Sequence, residues 1–156
     1  MTTKQNRMLT FSVMAGGLVV IAIVFLFGPK SLPCKDALPG KHEMHTIDDL
    51  ILKVRNGESL PPLIKTAGFV LFKYKCPPCP EGAQCKPCMP NNMVVGSKPQ
   101  DAKDYSAVLG DQQLTVYMDD PTPFADQMRY LFLLKDAKVS TTGLVQTQFV
   151  DCALSP

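Results

Sequence analysis

The sequence predicts an N-terminal transmembrane helix followed by one small, mainly β domain that carries a disulfide-rich loop. Three observations lead to this fold class. Met8 to Phe27 is a run of twenty residues without a charge, several segments beyond residue 60 alternate apolar and polar side chains, and four of the six cysteines fall within thirteen residues. With 156 residues, 46% hydrophobic and 19% charged, the chain has the size and composition of one folded domain.

Residues 8–27 have the length of a membrane-spanning helix. Twenty residues at about 1.5 Å each match the roughly 30 Å hydrocarbon layer of a bilayer. A cleaved signal peptide usually has an apolar stretch of about 7–15 residues that ends at a small-residue cleavage site. Gly28-Pro29-Lys30 offers no such site, so we expect a retained anchor with residues 1–7 as a cytoplasmic tail.

The cysteines set the predicted orientation of the anchor, because the basic residues on its two sides are nearly balanced. An even number of cysteines on one side of a membrane is typical of an oxidising compartment. All six follow the anchor, at positions 34, 76, 79, 85, 88 and 152. We therefore expect a cytoplasmic N-terminus and an extracytoplasmic domain, with the bacterial periplasm as the favoured compartment.

Small residues in the anchor provide a candidate helix-packing face. Ser12 and Gly16 are four residues apart, with Ala15 and Gly17 beside them. Such a face can approach another helix closely. The alternative is that these residues only reside in the bilayer, since glycine is common in membrane helices.

Residues 28–45 are rich in proline, glycine and charge, and they are predicted to connect the anchor to a domain over residues 46–156. From residue 28 onward the chain has fourteen Lys or Arg and fourteen Asp or Glu. Phosphate contacts dominate nucleic-acid affinity, and they require concentrated positive charge. Nucleic acid is therefore not expected as a partner.

The domain is predicted to open with a short helix. Thr46 can accept a backbone hydrogen bond as the N-cap, and Asp48 and Asp49 favour the positive end of the helix. Gly57 is placed to end it. The helical period puts four apolar side chains on one face: Ile47, Leu50, Ile51 and Val54.

Beyond the helix the pattern predicts about five antiparallel strands. Their number and spacing are compatible with a partly open barrel similar to an OB-fold, although no motif specifies it. The later turns are marked by Asp119-Asp120-Pro121 and by Ser140 to Gly143. The predicted strands are 68–75, 92–96, 113–119, 129–136 and 144–152.

The Cys-rich loop, residues 76–88, has the sequence CPPCPEGAQCKPC. Two interpretations give its thiols a chemical role. Cys76, Cys79, Cys85 and Cys88 could hold zinc as a four-thiolate site, but only five residues separate the two C-x-x-C pairs, where about fifteen to twenty are usual. Redox catalysis needs a thiol pKa lowered by a helix N-terminus. The sequence after Cys79, Pro80-Glu81-Gly82, is a poor helix opening.

The third interpretation of the Cys-rich loop is structural, and it is the one we favour. The two outer and the two inner cysteines are concentric about Gly82. A segment folded back at Gly82 would bring Cys76 opposite Cys88 and Cys79 opposite Cys85, at a separation that disulfides require. Prolines cannot donate hydrogen bonds to a strand ladder, so covalent bonds would replace it.

The two remaining cysteines are predicted to pair as Cys34–Cys152. This bond would join the two ends of the domain next to the membrane. Closing a loop of more than a hundred residues stabilises by about 4–5 kcal/mol in the chain-entropy model. The alternative is a free or intermolecular thiol at each position.

No catalytic constellation is evident elsewhere. The adjacent carboxylates Asp48-Asp49 and Asp119-Asp120 are explained by a helix N-terminus and a turn, and the only histidines, His42 and His45, lie in the predicted connector. We therefore expect no enzyme activity and no cofactor. The expected function is that of a non-enzymatic, single-pass membrane protein, a structural or accessory subunit that contacts other membrane-protein subunits through its anchor and β domain. The alternative is a membrane-tethered thiol-disulfide oxidoreductase or zinc-binding protein that uses the Cys-rich loop.

Overall fold

A computed structural model describes residues 34–84, 86–100 and 105–155. The predicted cytoplasmic tail, the anchor and its packing residues Ser12, Ala15, Gly16 and Gly17 lie outside these ranges. Within them, no helix is long and apolar enough to cross a bilayer. The elements are β1 Met44–Thr46, α1 Ile47–Arg55, β2 Ile64–Tyr74, β3 Asn92–Gly96, α2 Tyr105–Val108, β4 Gln113–Tyr117, β5 Arg129–Val139 and β6 Val145–Leu154.

Five of these strands form a closed barrel in the order β2-β3-β4-β6-β5, with β5 returning to β2. The prediction of a mainly β domain is confirmed, but the barrel is closed and not partly open. Closure depends on β2, whose first half, Ile64 to Phe69, pairs with β5 and whose second half, Phe69 to Tyr74, pairs with β3. The register shifts between Val70 and Phe72. Such a bulge bends a strand, and this bend lets β2 change neighbours.

The barrel is not purely antiparallel, which corrects the prediction. β4 pairs with β6 in parallel, and the three-residue strand β1 pairs in parallel with β2 at the edge of the sheet. Parallel neighbours need a long connection. β4 and β6 satisfy this requirement because β5 and two loops lie between them in the sequence.

Helix α1 has the caps and the buried face that its sequence predicts. The Thr46 hydroxyl accepts a hydrogen bond from the Asp49 amide at 3.1 Å. At the other end Gly57 has φ +70°, and the Glu58 amide donates to the Lys53 carbonyl at 3.0 Å, as in a Schellman motif. The apolar face belongs to the core of the barrel, together with the fully buried rings of Phe124, Tyr130 and Phe132.

A second, smaller apolar cluster lies on the outer surface of the barrel. Successive side chains of a strand point to opposite faces, and in β3 Met93 and Val95 belong to the main core whereas Val94 does not. Val94 packs instead with Leu71 and Val108. The connection between β3 and β4, which includes α2, therefore covers part of the outer face of β2 and β3.

The N-terminal part of the described chain is bound to the end of β6. Cys34 forms a disulfide with Cys152, with a Cα–Cα distance of 4.6 Å and a sequence separation of 118. The Lys35 amide donates to the Cys152 carbonyl at 2.8 Å, and the Lys35 ammonium group pairs with Asp151. The described part of the predicted connector, residues 34–45, thus contains a covalent bond to the barrel and the start of β1.

Candidate functional site

The Cys-rich loop connects β2 to β3 and extends beyond their paired region. The hydrogen-bonded register of these strands ends at Tyr74 and Asn92. Every described residue from Pro77 to Pro90 is exposed, and Cys76 is half-buried. The loop is therefore the longest exposed segment of the described chain that is bounded by barrel strands.

The described cysteines of this loop, Cys76, Cys79 and Cys88, are disulfide-bonded. Cys76 is joined to Cys88 with a Cα–Cα distance of 5.9 Å, inside the usual range of about 4.4–6.8 Å. Cys79 is also disulfide-bonded, while Cys85, its predicted partner, lies outside the described residues. No cysteine among the described residues is free. The Cys76–Cys88 bond joins cysteines of different C-x-x-C units, as the concentric spacing predicts.

The tip of the loop is a tight turn centred on Glu81 and Gly82. The Ala83 amide donates to the Pro80 carbonyl at 3.1 Å, and Gly82 has φ +78°. A positive φ at the third position of a turn is typical of type II and favours glycine. Nothing lies within 4 Å of the position that a Cβ atom of residue 82 would occupy, so glycine is required there by backbone conformation alone.

The base of the loop is held by Asn91. Its side-chain oxygen accepts from the Cys76 amide at 2.8 Å, and its side-chain nitrogen donates to the Asp119 carbonyl. Its own carbonyl accepts from the Met118 amide at 3.1 Å. One asparagine therefore connects the two arms of the loop to the chain that leaves β4.

An ion pair adds a second attachment at the base. The Lys75 ammonium group lies 3.0 Å from an Asp120 carboxylate oxygen. The pKa of the Asp120 carboxyl is lowered to about 2, first by hydrogen bonds from the Thr122 hydroxyl and amide and then by the one from Lys75. The Asp119-Asp120 turn predicted from the sequence thus belongs to the base of the loop.

The two histidines of the predicted connector differ in burial and in contacts. His45 is only 4% exposed, and its Nδ1 atom lies 3.2 Å from an Asp49 carboxylate oxygen, whereas His42 is half-buried. Hydrogen bonds from His45 and Lys53 lower the pKa of Asp49. Within the described residues, no group of three or more His, Cys, Asp or Glu side chains could hold a metal ion.

Aromatic side chains lie on the outer face of the barrel near the strands that carry the loop. The Tyr105 ring centroid is 5.6 Å from that of Phe72 and 6.1 Å from that of Tyr74. Burial raises the pKa of Tyr105, and interactions with the Thr115 and Asn92 side chains oppose this rise. No pattern in the sequence indicates this position of Tyr105, because α2 has only four residues and therefore no helical period.

A groove of about 590 Å³ lies between α1 and the segments that flank α2. Leu52 at its wall is 58% exposed, and the ion pair between Arg55 and Asp111, at 2.8 Å, neutralises two of its charges. An exposed leucine and an ion pair whose charges are already neutralised do not indicate which class of ligand the groove would bind. The Cys-rich loop is the more specific candidate.

Comparisons with protein families, with curated proteins and with solved structures found no match for this chain.

Proposed function

We propose that this chain is a non-enzymatic, single-pass membrane protein, a structural or accessory subunit of a larger membrane-associated assembly, and that its extracytoplasmic β domain contacts the other subunits through the Cys-rich loop. One observation carries the proposal: an exposed, proline-rich loop closed by disulfides and attached to a barrel through Asn91 and Lys75. Preorganised contact elements lose little conformational entropy when they bind. A rigid exposed loop is thus suited to docking.

The anchor and the compartment are parts of this proposal. Support comes from the uncharged run at 8–27 and from the disulfides, which form and persist in oxidising compartments. Six residues separate the end of that run from Cys34. Because Cys34 follows the anchor so closely in the sequence, the Cys34–Cys152 bond would keep the end of β6 near the point where the chain leaves the membrane.

We further propose that the barrel is of the OB type. Along the sequence, the first four barrel strands are β2, β3, β4 and β5, and their spatial order β5-β2-β3-β4 is that of a Greek key. OB-folds are five-stranded Greek-key barrels that bind ligands partly through the loop between their first two strands. The Cys-rich loop occupies that position in the strand order.

The thiol oxidoreductase and zinc-binding alternatives have less support. A C-x-x-C redox centre cycles a disulfide between its own two cysteines, whereas Cys76 is bonded to Cys88 and not to Cys79. Both alternatives need free thiolates. Mass mapping of the oxidised full chain without reducing agent should find all six cysteines in stable bridges, and a titratable low-pKa thiol or stoichiometric metal would favour the alternatives.

Site-directed cross-linking in the native membrane tests the docking role. Glu81, at the exposed tip of the loop, is replaced in the full chain by the photoreactive residue p-benzoyl-phenylalanine. A matched chain carries the same residue at Lys138, which is exposed on β5 away from the loop in sequence. We expect a discrete adduct with one membrane protein from position 81 and a weaker or different pattern from position 138. No discrete adduct from position 81 would contradict the proposal.

A further inference from the structure

The Cys-rich loop and the two residues that follow it form two arms, residues 76–80 and 86–90, which carry prolines at the same spacing. Pro77 and Pro80 lie three residues apart in the first arm, as do Pro87 and Pro90 in the second. A polyproline II helix has three residues per turn, so each pair falls on one edge of its arm. All four prolines are exposed.

The local sequence favours polyproline II geometry in both arms. A proline ring fixes φ near −65°, and it also restricts the preceding residue to the extended or polyproline II region. Five arm residues precede a proline: Cys76, Pro77, Cys79, Lys86 and Met89. Neither described arm belongs to a helix or strand, and the ladder between β2 and β3 has already ended at Tyr74 and Asn92.

The disulfides take over the role that ladder hydrogen bonds play in an ordinary hairpin. Cys76–Cys88 holds the bases of the arms 5.9 Å apart between Cα atoms, and Cys79 is bonded further toward the tip. A ladder would occupy the backbone carbonyls of the arms. Here the Pro80 carbonyl accepts from the Ala83 amide and the Pro90 carbonyl from the Asn92 side chain, and each carbonyl oxygen has a second lone pair that can accept from a partner. Prolines bring no amide donor that a partner would have to satisfy.

The surface of the arms is therefore apolar, with hydrogen-bond acceptors along it. The proline rings are supplemented by Met89, which is 43% exposed, and the loop carries only two charges, on Glu81 and Lys86. Extended segments with the P-x-x-P spacing bind in grooves lined by aromatic side chains, which receive the rings and donate to the carbonyls. A flat ion-pairing surface would not match this chemistry.

We infer that the two arms form proline ridges that dock into a groove lined by Trp and Tyr side chains on a partner subunit. This inference rests on the proposed docking function and specifies the chemistry of the partner. The ridges are preformed, because the proline rings and the disulfides restrict the backbone of the arms before binding. The partner groove supplies the indole and phenol donors.

The test uses the full chain with p-benzoyl-phenylalanine at Glu81, in the native membrane. Two double variants remove one ridge each, Pro77→Ala with Pro80→Ala and Pro87→Ala with Pro90→Ala. The matched control is Pro61→Ala with Pro62→Ala, since these prolines are exposed and lie outside the loop. Disulfide mapping and thermal unfolding select variants that keep their bridges and fold.

We expect at least one ridge variant to lower the yield of the adduct about tenfold, the change that a loss of about 1.4 kcal/mol produces, while the control stays within twofold of the unsubstituted chain. Mass spectrometry of the adduct should identify a partner peptide with Trp or Tyr beside the cross-link. A Trp-containing peptide must belong to the partner, because this chain has no tryptophan.

Three results would overturn the inference. They are an adduct whose yield is unchanged in both ridge variants, a partner peptide without nearby aromatic residues, and a dominant cross-link to a second copy of this chain. The first two leave the docking function intact and reject only the proline ridges. The absence of any adduct in the unsubstituted chain rejects the docking function and the ridges together.

Discussion

The end of the barrel and the Cys-rich loop use the same covalent bond in opposite surroundings. Cys152 is fully buried in the main core and joined to Cys34, and the bond encloses most of the folded domain. Cys76 and Cys88 bound the Cys-rich loop, whose described residues from Pro77 onward are exposed and form no core of their own. The first bond restrains a chain that packing already orders, whereas the second substitutes for packing.

This difference has a consequence for stability. A disulfide stabilises mainly by restricting the unfolded chain. Without the Cys34–Cys152 bond the unfolded chain gains conformational entropy, whereas packing keeps the folded barrel ordered. Nearly all of the gained entropy therefore favours unfolding. Cutting a bond of the Cys-rich loop frees the loop in both the folded and unfolded states, and most of the effect cancels.

The largest effect is expected at the buried bond. Replacing Cys34 and Cys152 together by alanine should lower the free energy of unfolding by about 4–5 kcal/mol. The measurement is urea unfolding of the oxidised full chain in detergent, followed by tyrosine fluorescence. A loss under about 1 kcal/mol would show that the bond at the end of the barrel behaves like the bonds of the loop.

A comparable loss is expected at Phe124, which lies in the connection after β4 and is 1% exposed. Its ring centroid is 5.2 Å from that of Tyr130 and 5.7 Å from that of Phe149. Phe124→Ala should cost about 3–5 kcal/mol, as large-to-small changes in a core do. Phe72→Ala is the matched control on the outer face, and because that ring is half-buried it should cost about half as much or less.

A smaller effect is expected at the base of the loop. Asn91→Ala should cost about 1–2 kcal/mol, because the Cys76 amide and the Asp119 carbonyl lose their partners. Asn91→Asp keeps an acceptor for the Cys76 amide and should preserve its slow hydrogen exchange, which Asn91→Ala should abolish. Equal exchange of that amide in both variants would contradict the assigned bond.

The smallest effect concerns pH. The lowered pKa of Asp120, about 2, means that its ionised form is favoured in the folded state. Its contribution is fully present above the unfolded pKa near 4 and is lost as the pH falls toward 2. An NMR titration of the Asp120 carboxyl should have its midpoint near 2, with the Thr122 amide following it. A midpoint near 4 would show that the Asp120 carboxylate does not accept the hydrogen bonds assigned to it at the base of the loop.

The sequence predicted those parts of the fold that depend on local pattern. α1 and its caps followed from Thr46, Gly57 and the helical spacing of four apolar residues. The five barrel strands followed from alternation, and Cys76–Cys88 followed from concentric spacing. Each of these signals acts between residues near one another in the chain, so a single sequence contains it.

The features of the fold that the sequence did not predict depend on contacts between residues far apart in the chain. Closure of the barrel relies on the bulge at Leu71 and on β2 pairing with both β3 and β5, and no local pattern specifies either. Phe124 lies among turn residues, so its burial could not be read from periodicity. The attachment of the loop by Asn91 was invisible for the same reason, because its contacts lie across the fold at Cys76 and Asp119.

The central claim, that the Cys-rich loop is a docking element and not a brace for the barrel, is tested most directly by replacing Cys79 and Cys85 with serine. Thermal unfolding and cross-linking from position 81 are measured on the same full-length variant. We expect the cross-linked adduct to be lost while the free energy of unfolding falls by about 1 kcal/mol or less. An unchanged adduct together with a loss of several kcal/mol would contradict the claim and make the loop a structural brace.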